Sequence, residues 1–148
     1  MPGTPDRRPS ETIVAFDFGL RRIGVAVGQD LTASASPLAT VRNGRTGPDW
    51  QAIAGIIEEW RPSRLIVGIP ANEDGSETGL ARHIRRFVRE LARFDLPVDT
   101  VDERFSSLEA GELLKSERAA GLRGKIGKEA IDSAAAALIA GRWLRRDG

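Results

Sequence analysis

The chain has 148 residues, 41% apolar and 29% charged, a size and balance that suit one globular core and leave no room for two halves closing over a cleft. It contains no cysteine and a single histidine, His83, which excludes disulfides, thiolate chemistry, thiolate-bound zinc and multi-histidine metal sites and points any chemistry toward carboxylates. The formal net charge is only +1, so affinity for a polyanion must come from local basic surface rather than from the field of the whole molecule.

Residues 1–11 are polar and rich in proline and arginine, with no apolar stretch to serve as an export signal. They read as a flexible tail ahead of one domain over 12–148, and the absence of any targeting signal makes the cytoplasm the expected location. Thr12-Ile13-Val14-Ala15-Phe16 and Ile23-Gly24-Val25-Ala26-Val27 are short apolar runs separated by a glycine-containing turn, the pattern of an antiparallel hairpin. A third strand is expected over 37–41, before an Arg42-Asn43-Gly44 turn. The period then changes. Trp50, Ile53, Ala54, Ile57 and Trp60 recur at helical spacing, and 65–69 is an apolar run that predicts a buried strand.

Between 76 and 94, Leu80, Ile84, Phe87, Val88 and Leu91 share one helical face, with arginines mostly on the other. A fifth strand is predicted over 97–101, a capping box at Ser106 to Glu109 opens another helix, and 126–144 forms the last one. The last helix carries an alanine run, 134–137, narrow enough to lie close against a sheet. The predicted order is β-β-β-α-β-α-β-α-α: an α/β fold with a five-stranded mixed sheet and helices on its faces. The segment 117–127, with three glycines and several basic residues, is expected to be a mobile basic loop.

Three acids stand where acids are not expected. Asp17 ends an apolar strand, where its charge needs backbone donors, solvent or a cation. Glu103 follows the fifth strand, at the strand end where open α/β sheets place ligands, although it is equally placed to pair with Arg104 or Arg22. Asp132 lies on the last helix beside the alanine run, a surface too small-sided for an ordinary solvated face; an exposed helix aspartate is the plain alternative. If the three converge, their repulsion needs a divalent cation, and an all-oxygen ligand set selects Mg²⁺ or Mn²⁺. Two such ions suit an in-line phosphoryl displacement by water.

Asp17-Phe18-Gly19-Leu20-Arg21-Arg22-Ile23-Gly24-Val25-Ala26, Val67-Gly68-Ile69-Pro70-Ala71-Asn72-Glu73-Asp74-Gly75-Ser76 and Asp102-Glu103-Arg104-Phe105-Ser106-Ser107 occur in the order found in the YqgF family, which the chain resembles over nearly its whole length. Members of that family are described as pre-16S rRNA nucleases and as Holliday-junction-resolvase-like proteins. The resemblance implies a ribonuclease H-like fold, and it maps the family's three acids to Asp17, Glu103 and Asp132. Ala71, Glu73 and Arg21 depart from the usual pattern, and none of these removes an acid.

Arg22, Arg104 and Lys128 are candidates for phosphate contacts, with surface ion pairs as the competing account. Asn72 and Gly75 lie in a turn that either presents backbone N–H groups to phosphate or is simply tight. His83 is expected to be structural. The leading expectation is therefore a metal-dependent nuclease that processes precursor rRNA in ribosome biogenesis. A Holliday-junction resolvase acting on branched DNA is the alternative within the same chemistry; it would favour a homodimer over a monomer, because two symmetric cuts need two sites. A nucleic-acid-binding regulator that keeps the fold without catalysis is the alternative of a different class. An actin-like phosphotransferase would need a second lobe, for which the chain has no room.

Overall fold

The computed structural model describes residues 11–69, 79–102 and 128–145, and the side chains of Lys128 and Glu129 are outside that description. The strands are β1 (Thr12–Phe18), β2 (Arg22–Gln29), β3 (Ser34–Gly44), β4 (Gly47–Pro48), β5 (Arg64–Ile69) and β6 (Val98–Asp102). The helices are α1 (Trp50–Trp60), α2 (Ala81–Glu90), which runs on into a 3-10 turn at Leu91–Phe94, and α3 (Lys128–Leu144). One mixed sheet runs in the order β4-β3-β2-β1-β5-β6. The meander β1 to β4 is antiparallel, and β5 and β6 are added parallel to β1.

Two layers of side chains cover the sheet. On one face Val14, Phe16, Phe18, Ile23, Val25, Leu65 and Val67 pack with α1 and α2. Phe87 of α2 is the hub there, its ring centroid 5.4 Å from Phe16, 5.1 Å from Phe18 and 5.7 Å from Trp50. On the other face Ile13, Ala15 and Ile66 pack against Ile139, Ala140 and Trp143 of α3. Strand parity thus sorts β1 cleanly, odd positions toward α3 and even positions toward α1 and α2. Alanines 134–136 are buried, as their small size allows where a helix lies close to strands.

Six strands replace the expected five because a two-residue strand, β4, pairs with the end of β3, which is itself longer than its apolar centre suggested. Residues 34–36 and 42–44 belong to it, and a bulge at Leu38, where Val25 pairs with Ala39 and Ala26 with Pro37, absorbs the proline. Arg42-Asn43-Gly44 is not the turn; the chain reverses at Arg45 and Thr46 and returns as β4. Asn43 is 7% exposed, and its side-chain amide donates to the Gly19 carbonyl at 2.7 Å, tying the β1–β2 turn to β3. The expected capping box at Ser106 and the basic loop 117–127 lie outside the described residues. The helix expected from 76 begins at Ala81, after a turn at Gly79 and Leu80. Among the described residues no helix is long and apolar enough to cross a membrane.

Candidate active site

Asp17 is the next-to-last residue of β1 and shares the parity of Ile13 and Ala15, so it faces α3. Its cross-strand partner on β2 is Gly24. A Cβ built on Gly24 would collide with the backbone carbonyl of Asp132 and reach the Ser133 nitrogen at 3.0 Å. The backbone of α3 therefore rests on the sheet at Gly24, which only a residue without a side chain permits. Asp17 and Asp132, 115 positions apart in the chain, lie on the same face of the sheet with Gly24 between them. Both are half-buried.

Arg22 stands two residues before Gly24 on the same face, and its Nε donates to Asp132 Oδ2 at 2.8 Å. The two side chains keep 32% and 24% of their surface. At that exposure an ion pair contributes at most about 1 kcal/mol, which orients Asp132 without committing it to Arg22. The arginine expected to meet phosphate is thus set directly on one of the expected metal ligands.

The parallel strands bring a third element to the same end of the sheet. Phe16 is level with Val67, and Val67 with Thr100, so the C-terminal end of β6 lies two strands from Asp17, roughly 10 Å across the sheet. Gly68 and Val101 are level with each other on the α3 face. Arg142 of α3 donates to the Asp102 carbonyl at 2.9 Å, holding the helix against the last strand. Glu103, Arg104, Asn72 and Gly75 lie outside the described residues, and of Lys128 only its place at the start of α3 is described. Among the described residues no group of three or more histidine or carboxylate side chains gathers at one point. The two described acids form a hard all-oxygen pair, the donor set that fits Mg²⁺ or Mn²⁺ rather than a soft metal.

His83 is exposed on α2, on the other side of the sheet, and takes no part in this pair. Sequence reasoning missed two contributors. Gly24 carries a signal, a glycine inside an apolar strand, which marks a close backbone approach. Arg42 carries none, because its position opposite Arg22 depends on a register that the bulge shifts.

Residues 11–146 match the family model described as "RuvX: Holliday junction resolvase". The chain belongs to this family. A protein of Xanthomonas campestris pv. campestris (strain B100) named "Putative pre-16S rRNA nuclease" is 43% identical over 97% of this chain and 94% of its own length. One of the same name from Nitrosococcus oceani is 44% identical over 95% of this chain and 90% of its own. Among solved structures, that of T. thermophilus RuvC in complex with Holliday junction substrate superposes with a TM-score of 0.55 at 17% identity, covering 93% of this chain and 96% of that one. At such identity the likeness establishes the fold, and the fold is the ribonuclease H-like one that the motifs implied. The RuvX match likewise bears out the YqgF resemblance, carried by the Asp17, Gly68 and Glu103 motifs.

Proposed function

We propose that this RuvX-family protein is a divalent-metal-dependent nuclease of the cytoplasm that trims precursor 16S rRNA during ribosome biogenesis. The observation that carries the reading is the placement of Asp17 and Asp132 on one sheet face, across a glycine that lets α3 touch the strands. The names of the full-length relatives supply the substrate.

Asp17 and Asp132 would hold the cation, with Glu103, the residue after β6, completing the set. One or two Mg²⁺ or Mn²⁺ ions bound there would supply Lewis-acid stabilisation of phosphate charge and activation of water. Arg22 keeps Asp132 turned toward the site and offers its remaining N–H groups to a phosphate oxygen. Arg104, Lys128, Asn72 and Gly75 are assigned to the substrate backbone on the same reading. In the reaction the oxygen of water bonds to phosphorus as the bond to the leaving sugar oxygen breaks; one proton of the water is lost to solvent and the leaving oxygen takes one up.

A second reading, resolution of branched DNA by a homodimer, is favoured by the description of the matching family. The two are separated by incubating the protein with precursor 16S rRNA and with a four-way DNA junction, each with Mg²⁺, Mn²⁺ or chelator. Metal-dependent cutting confined to the RNA supports the first reading, and paired symmetric cuts in the junction support the second. Cutting of neither under any metal condition overturns both.

A further inference from the structure

Arg22 and Arg42 are cross-strand partners on β2 and β3, and their parity places both on the α3 face. Two like charges directly opposite each other on an antiparallel pair are destabilising, and a fold retains them at a cost unless an anion is shared. Asp132 takes up the charge of Arg22. Arg42 is exposed and has no carboxylate partner among the described residues, and the same holds for Arg21 in the β1–β2 turn.

The three arginines border one surface recess of about 540 Å³. One acid, Asp49, also lines it; its Oδ1 accepts from the Ala52 N–H at 3.1 Å and caps α1, which holds that carboxylate toward the helix end. The backbone fixes the cluster, because the Asn43 N–H donates to the Arg21 carbonyl at 2.9 Å and the Asp49 N–H donates to the Arg42 carbonyl at 3.0 Å. Two arginines with no carboxylate partner among the described residues, and a third bound to the Asp132 carboxylate, therefore line a recess that shares Arg22 with the candidate active site.

We propose that this recess binds a backbone phosphate of the nucleic-acid strand next to the one that is cut, with Arg21 and Arg42 as its ligands and Arg22 as the link to the site. The proposal rests on the nuclease reading above. It names the position where a flanking phosphodiester is held, a role for which neither arginine needs a base. Planar guanidinium forks suit phosphate oxygens, and contacts of this kind fix register without reading sequence.

The test compares the parent with an R21Q/R42Q variant and with a charge-matched control, R82Q/R89Q, whose arginines are exposed on α2 across the sheet. Binding to a labelled single-stranded RNA oligonucleotide and to a four-way DNA junction is measured in chelator over a range of salt. The slope of log K against log salt, which is negative, should shrink in magnitude by about 0.7 to 0.9 for each arginine removed in R21Q/R42Q, and stay at the parent value in R82Q/R89Q. The arm that shows the reduction says whether the flanking phosphate belongs to RNA or DNA. A melt of R42Q alone should show a Tm at or above that of the parent, since a like-charge pair is relieved; a contact that merely supported the fold would lower it.

An unchanged slope in R21Q/R42Q, or an equal reduction in the control, overturns the recess while leaving the nuclease reading intact, provided the parent binds and cuts. A parent that binds neither probe at any salt overturns both.

Discussion

Asp17→Asn should lower the rate of phosphodiester cleavage by on the order of a thousandfold at saturating substrate. Loss of a group that merely orients a metal ligand costs 10–100-fold, and removal of a direct ligand removes more. Asn preserves the size of the side chain and an oxygen acceptor, so what changes is the charge that the cation needs. The stabilisation that added Mn²⁺ gives the parent by binding only the folded state should disappear. Single-turnover cleavage and paired melts with and without Mn²⁺ check both halves. Parent-like cleavage by Asp17→Asn would remove this residue from the chemistry.

Gly24→Ala should be the most damaging small substitution in the sheet. The added methyl has no flexible side chain to displace, because what it meets is the backbone of α3 at Asp132 and Ser133. Either α3 lifts from the sheet or β2 shifts within a layer buried on both faces. Overpacking of this kind costs about 3 kcal/mol or more, which for a chain of this length lowers Tm by roughly 10 °C. Lifting the helix also carries Asp132 away from Asp17, so the surviving folded protein should bind Mn²⁺ more weakly. Thermal denaturation followed by metal titration below the transition measures the two effects separately. Alanine is accepted without loss only if the helix does not approach the strand as described.

The residues differ in how much they showed before folding. Asp17 was legible because a charge closing an apolar strand conflicts with its surroundings unless it has a use, and the alternation Ile13, Ala15, Asp17 already assigned it a face. The alanines at 134–137 announced a helix close to the sheet for the same reason of size. Arg42-Asn43-Gly44 misled, because Asn-Gly is a strong turn signal when only neighbours in the chain are considered. Here Asn43 is buried, and its amide serves the carbonyl of Gly19, a partner 24 residues away. The outer parts of β3 were invisible for a related reason: Ser34-Ala35-Ser36 and Arg42-Asn43-Gly44 lack the apolar alternation that marks a strand, and they are held mainly by pairing with β2. The ion pair of Arg22 with Asp132 spans 110 positions and depends on α3 docking on Gly24, which no local pattern encodes. Sequence thus singled out the acids as candidates, while the arginines around Asp132 became readable only once register set their neighbours.

The most direct measurement is anomalous diffraction from crystals of the parent protein soaked in Mn²⁺. The account predicts a manganese peak coordinated by the carboxylates of both Asp17 and Asp132, lost when Asp17 is replaced by Asn. Manganese found only at other surfaces, with those two carboxylates turned to separate sides of α3, would contradict it.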